Sequence, residues 1–245
     1  IKFESDAIDN IINMYTNENG VRELERCISR IIRKVITSHI KNSRKIVSVR
    51  IRKNDLISYL ENPAYLQMNS EGSMYPGVVR TVACSNVGGI SLKIEVSSFN
   101  GNGNVIYTGS LSDVVKESID VSISYIKSNY KYFNIDEDYF SNRDIHIHFT
   151  GCASSKDGPS AGVCITTAIL SLIKNKLIDS SISMTGEITL KGEILRIGGI
   201  KEKSIACVKS GISKLFIPNS NLCDVSFINS DLTNNINYIG VSDYK

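Results

Sequence analysis

The apolar pattern of this chain changes its period once, and that change limits the folds open to it. Up to Leu66 apolar residues recur every three to four positions; beyond Gly77 they come in short alternating runs. The first pattern buries one stripe of a helix and the second one face of a strand, so the two stretches require different architectures. Ser5-Asp6 is placed to cap a helix with Ile8, Ile11, Ile12 and Tyr15 on one side, ending at Asn19-Gly20. A longer helix follows, with Leu24, Ile28, Ile31, Ile32, Val35 and Ile36 on one stripe. Val47, Val49 and Ile51 alternate with Ser48, Arg50 and Arg52 as a short strand, and Asn54 caps a helix through Leu60. Residues 1–66 thus read as a small α-helical unit, residues 67–77 as an aperiodic linker, and residues 78–245 as a second domain.

In that second domain strands are expected over 77–85, 90–99, 104–108, 144–150, 182–189, 193–197, 214–218 and 236–240. Ser110-x-x-Asp113 reads as a capping box opening a helix that carries Val115, Ile119 and Ile126. Further helices are expected over 160–174 and 201–209. Strands and helices without strict alternation imply an α+β domain of mixed strands and helices. Asn100-Gly101-Asn102-Gly103-Asn104 contains G-x-G but lies between two strand signals, so it reads as a hairpin loop and not a phosphate cradle.

Composition enters where it removes functions. The 245 residues are 42% hydrophobic with a net charge of +3, which excludes intrinsic disorder and gives no electrostatic footprint for nucleic acid. No apolar run is long enough to span a membrane. The six cysteines form no C-x-x-C pair, and a chain of this size needs no staples, so a reducing compartment is expected. The chain starts Ile1-Lys2-Phe3-Glu4, without Met, and reads as a piece of a longer protein.

The densest chemistry lies at Lys156-Asp157-Gly158-Pro159-Ser160-Ala161-Gly162, where a turn meets an apolar helix. Ser160 sits at or near a helix N-terminus, where free N–H groups and the helix dipole favour a developing negative charge. An ordinary N-cap serine would look the same. A nucleophile needs a base. His39 lies in the helical unit, whereas His146 and His148 share one strand face, so Ser160-His148-Asp157 is a conceivable triad. His146, His148 and Cys152 could instead seed a zinc site, for which further ligands at metal spacing are missing. Lysine is the other candidate base. Lys203 precedes the largely apolar Ser204-Ile205-Ala206-Cys207-Val208, and burial would lower its pKa into a useful range. A solvated surface charge is the alternative for any lysine.

From Asp144 onward, the strings RDIHIHF, KDGPSAG, SMTGEITLKGEILRIGGIKEKSIAC and LFIP stand in an order that resembles the proteolytic domain of the Lon family, the ATP-dependent serine proteases of the AAA+ class. The resemblance extends back through YTGSLSDVVKESI and the PGVV and VGG stretches. YTNENGVRELERCISRIIRKV is similar to the small α-helical subdomain of the Lon ATPase module. The resemblance therefore covers nearly the whole chain. One departure is plain: Thr150-Gly151-Cys152-Ala153 stands where the family has Pro-Glu-Gly-Ala, so the family Glu is absent and Cys152 is extra.

The resemblance implies a Ser–Lys dyad, with Ser160 as nucleophile and Lys203, not Lys201, as its base. It implies that Thr185 orients the lysine, that Asp157 is a loop acid beside the nucleophile, and that Arg22 faces the γ-phosphate of ATP. It further implies a hexameric homo-oligomer that uses ATP and Mg to thread unfolded or damaged polypeptide into a closed chamber. The chain itself carries no G-x-x-x-x-G-K-[ST], so it is expected to bind no ATP on its own. Rival expectations are a catalytically silent Lon-like module, a nucleic-acid-binding domain of similar shape, and a Ser-His-Asp hydrolase, against which the lack of G-x-S-x-G speaks. The excess of Asn and Ser leans toward a mitochondrial matrix location over a bacterial cytoplasm.

Overall fold

The computed structural model describes residues 1–16, 18, 20–41, 48–63, 75–85, 88–151, 158–228 and 234–245. The chain divides into two compact units, one of Ile1–Met68 with Asn86–Gly88, the other of Asn69–Ser85 with Gly89–Lys245.

In the first unit β1 (Lys2–Phe3) pairs in parallel with β2 (Arg50–Ile51), around α1 (Ser5–Tyr15), α2 (Arg22–Lys41) and α3 (Leu56–Leu60). Ile11, Ile31, Val35, Ile51, Leu56 and Leu60 form its core. The expected stripes are cut to their centres: Ile12 and Ile36 are exposed. Two expected caps move. Glu4 occupies the N-cap of α1, without a side-chain bond. At the start of α3 the side chain of Asp55, not Asn54, accepts the N–H of Arg52 at 2.8 Å. Asp55 stands three residues after Arg52, the spacing at which a carboxylate reaches back to the N–H that precedes the turn.

The second unit is built on a seven-stranded mixed sheet. Its strands are β3 (Val78–Ser85), β4 (Gly88–Asn100), β5 (Val105–Thr108), β6 (Arg143–Phe149), β7 (Ile182–Met184), β10 (Lys214–Pro218) and β11 (Asn237–Val241). They are ordered β11-β10-β7-β3-β4-β6-β5. The antiparallel pair β8 (Glu187–Ile188) and β9 (Ile194–Leu195) stands apart. The architecture is α+β. The long helices are α4 (Asp113–Ser128), α6 (Gly162–Ile173) and α7 (Ile200–Lys209); the single turns α5 (Tyr130–Phe133) and α8 (Leu222–Val225) complete the set.

Apolar residues cover the sheet unevenly. On one face Val79, Leu92, Ile94, Val96, Ile145, Ile147 and Phe149 pack with Ile119 and Ile126 of α4 and Ile165 and Ile169 of α6. On the other, Val82, Leu215 and Ile217 pack with Ile200, Ala206 and Cys207 of α7. That second cluster covers only the β10-β7-β3 half.

Three expectations are corrected here. Ser112, not Ser110, caps α4, accepting from the N–H of Val115 at 3.4 Å, while Ser110 itself takes a positive φ of 55°. The loop after β4 is no hairpin, because β6 lies between β4 and β5. Its backbone is held by the carboxylate of Asp144, which accepts the N–H groups of Asn102 at 2.9 Å and Asn104 at 2.8 Å. The expected strand over 182–189 is broken at Thr185-Gly186 into β7 and β8. That break builds the site.

Candidate active site

Ser160 lies in a 3-10 turn, Pro159–Ala161, that leads directly into α6. It sits one turn ahead of the α-helix that the sequence places it in. Pro159 suits the first position of such a turn, since its missing N–H has no intrahelical partner to lose. The turn is fastened through the Ser160 carbonyl, which accepts the N–H of Gly186 at 2.8 Å and the hydroxyl of Thr185 at 3.1 Å. The N–H of Val163 returns a bond to the Gly186 carbonyl at 3.1 Å. These bonds explain why β7 stops at Met184. Thr185 still gives its N–H to the Phe216 carbonyl of β10 at 2.9 Å, while its hydroxyl and the N–H of Gly186 are given to the serine turn.

Lys203 approaches from the opposite side on α7. Gly199 caps that helix with a φ of 73°, and its carbonyl accepts the N–H of Lys203 at 3.0 Å. Gly89 of β4 lets α7 lie close: a Cβ there would stand 1.8 Å from the backbone oxygen of Glu202. The side chain of Lys203 is 2% exposed. Its Nζ is 3.1 Å from Ser160 Oγ and 3.0 Å from Thr185 Oγ1.

The directions of these bonds restrict one another. Thr185 has one hydroxyl proton, which it gives to the Ser160 carbonyl. Toward Lys203 it can therefore only accept. A neutral lysine that donates one N–H to Thr185 is left with a lone pair to turn toward the Ser160 hydroxyl. Burial pushes the Lys203 amine below its ordinary value of 10.5, opposed by the neighbouring Cys84 and Cys164. Cys164 is fully buried and donates to the Met184 carbonyl at 2.8 Å; its own pKa is pushed up to about 12 by burial. Cys84 is exposed and donates to the Gly199 carbonyl at 3.5 Å.

Ser160, Thr185 and Lys203 are thus brought together from three elements. The other sequence candidates are placed elsewhere or not described. Asp157 and Cys152 lie outside the described residues. His146 Nε2 and His148 Nδ1 both meet Thr108 Oγ1, at 2.9 and 2.7 Å. His39 bonds the carbonyl of Val35 within α2. Among the described residues no group of His, Cys, Asp and Glu could hold a metal. Arg22 is the first residue of α2, where the carboxylate of Glu18 accepts the N–H groups of Glu23 and Leu24. The roles of Gly89, Cys84 and Cys164 escape sequence reasoning, although Gly88-Gly89 lies in a stretch that carries the resemblance.

A buried amine shared by a serine and a threonine hydroxyl, at a helix-entry turn in an α+β domain, is an arrangement suited to activating that serine. The model of the Lon protease C-terminal proteolytic domain matches residues 50–245, and that of the Lon protease AAA+ ATPase lid domain matches residues 1–47. The chain belongs to the Lon protease family and carries its C-terminal proteolytic domain. It is 38% identical, over its whole length, to the Lon protease of Mycoplasma mycoides subsp. mycoides SC. It is 38% identical over 98% of its length to that of Clostridioides difficile, and 41% identical over 97% to that of Brucella suis biovar 1. It spans 30%, 30% and 29% of those proteins. All three relatives are bacterial. No described helix is long and apolar enough to cross a membrane.

Proposed function

We propose that this chain is the proteolytic part of an ATP-dependent serine endopeptidase that works through a Ser160–Lys203 dyad. The observation that carries the reading is the position of Lys203 Nζ, buried within 3.1 Å of both the Ser160 and Thr185 hydroxyls. Lys203, neutral at rest, takes the proton of Ser160 Oγ as that oxygen attacks the scissile carbonyl. The oxyanion is held by backbone N–H groups at the serine turn. The ammonium of Lys203 then gives its proton to the leaving amine, and an acyl-enzyme remains. Lys203 next takes a proton from the hydrolytic water, whose oxygen forms the new carboxylic acid, and returns that proton to Ser160. Thr185 keeps the lone pair of Lys203 on this path. Asp157 is proposed as a loop acid beside Ser160.

ATP and Mg would be held outside this chain, which has no G-x-x-x-x-G-K-[ST] of its own. Arg22 is proposed to face the terminal phosphate of that nucleotide. The N-terminus of α2 is already occupied by the Glu18 carboxylate and offers no cradle of its own. A hexameric ring acting on unfolded polypeptide is proposed for the full-length protein, and the bacterial relatives favour a bacterial cytoplasm over the mitochondrial matrix.

The test is hydrolysis of an unstructured fluorogenic peptide by the full-length protein, beside Ser160→Ala and Lys203→Ala, across pH. Both variants are expected to lose about a thousandfold or more in kcat. The parent rate is expected to rise through a pKa below 10.5. Retained activity in Lys203→Ala would end the dyad reading.

A further inference from the structure

We propose that Arg80 is a positioning residue for the Ser160–Lys203 pair: it clamps the C-terminal end of α7 to the segment before β7, and so sets the spacing at which Lys203 meets Thr185. Arg80 stands in the middle of β3 and is 5% exposed. Among the described residues its guanidinium meets two carbonyls and no carboxylate. Nη1 donates to Ser180 at 3.0 Å and Nη2 to Ser210 at 2.9 Å. A buried cation without an anion is costly, and an apolar residue would fill a strand core more cheaply. What the guanidinium supplies is a fork that holds two acceptors at once, which neither a lysine nor an amide reproduces. One acceptor is the C-cap residue of α7, where the helix dipole is negative.

Both acceptors belong to elements that carry the site. Ser210 follows Lys203 by seven residues, about two helical turns, so the two share a face of α7. Ser180 precedes β7, and Thr185 follows its last residue directly. The backbone of Arg80 joins the same frame. Its carbonyl accepts the Ser183 hydroxyl at 3.0 Å, and the next residue, Thr81, pairs with Met184. One side chain therefore touches the far ends of the two elements whose near ends present Lys203 and Thr185. Packed elements transmit such constraints, and a shift of about 1 Å at reacting groups can cost on the order of a hundredfold in rate. The ionisable groups facing Lys203 are Cys84 from β3 and Cys164 from α6, and the one facing Arg80 is Cys207 of α7.

The inference rests on Lys203 being the base. The experiment measures kcat and KM for an unstructured fluorogenic peptide, from pH 6 to 10.5, in the full-length protein and its Arg80→Gln and Arg80→Lys variants. Melting temperatures and the Lys203→Ala control accompany them. Arg80→Gln is expected to lower kcat about tenfold or more with KM within about twofold. The rising limb of kcat/KM should move toward 10.5, because a loosened Lys203 regains water. Arg80→Lys, which keeps the charge and loses the fork, should show the same change to a smaller extent and serves alone if Arg80→Gln does not fold. An unmoved limb, whatever the change in melting temperature or kcat, overturns the proposal and leaves Arg80 a stabilising residue. Parent-like activity in Lys203→Ala would instead fell the dyad reading itself.

Discussion

The two halves of the main sheet treat their polar residues in opposite ways. The β10-β7-β3 half is covered on both faces, by α6 on one and α7 on the other, and there Arg80, Thr81, Ser183 and Lys203 are all buried. Among the described residues the β4-β6-β5 half is covered by α4 and α6 on one face, and on the other α7 meets it at Gly89, near the start of β4. On that second face Glu95 and Ser97 are exposed, and His146 and His148 are half-buried. The lesson concerns which base the protein can use. Burial disfavours the charged form of an amine, so a lysine becomes a usable base only inside the doubly covered half. A histidine needs no such environment, yet the two on β6 are tied to Thr108 and not to the serine turn.

The contrast can be broken or sharpened by substitution. After loss of the dyad residues themselves, the largest effect is expected from Thr185→Val. It removes the acceptor of Lys203 and a donor to the Ser160 carbonyl together, and kcat should fall about tenfold to a hundredfold. Thr185→Ser should recover most of that loss; equal loss in both would show that packing, not the hydroxyl, matters. Gly89→Ala comes next. Its Cβ collides with the backbone of α7, so a destabilisation of about 1–3 kcal/mol is expected in denaturant titration, with a fall in kcat. A normal rate with α7 undisturbed would undo the account of how Lys203 is placed.

Stability against pH tests the burial of Lys203 directly. Its pKa is lower in the folded state than in the unfolded one. Below the folded value both states carry the proton and folding bears the full penalty; above 10.5 neither does, and the penalty is gone. Between the two the unfolded chain binds more protons, so stability rises with pH. Lys203→Met should therefore melt higher than the parent at low pH, with the difference shrinking as pH rises toward 10.5. A difference independent of pH would mean that the amine is not desolvated. The smallest effect belongs to the open half: His148→Ala should change kcat by less than about twofold. A loss comparable to that of Lys203→Ala would transfer the base role to the histidine and erase the contrast.

Much of this was readable beforehand, but not evenly. β10 lies where alternation puts it, at 214–218, and α7 within one residue of its expected start. Both are short segments whose period is undisturbed by the site. The errors fall where tertiary bonds override local pattern. Ile182–Thr189 reads as one strand because its residues favour β structure, yet the serine turn takes the N–H of Gly186 and the hydroxyl of Thr185, and the strand breaks there. Asn100–Asn104 reads as a hairpin because strands flank it, yet β6, some forty residues later, enters between them. Arg80 is visible in the sequence as a charge inside an apolar strand pattern, but its two carbonyl partners lie 100 and 130 residues away.

The sequence by itself determined the division into a helical unit and an α+β domain, since the period of burial is a local property. It also determined the family, since the motifs around Ser160, Thr185 and Lys203 are contiguous strings. Only the tertiary structure decided that those three side chains meet, that the lysine is desolvated, and that the histidines stand on an open face. Desolvation is set by atoms from strands and helices remote in the chain, and no window of the sequence contains them.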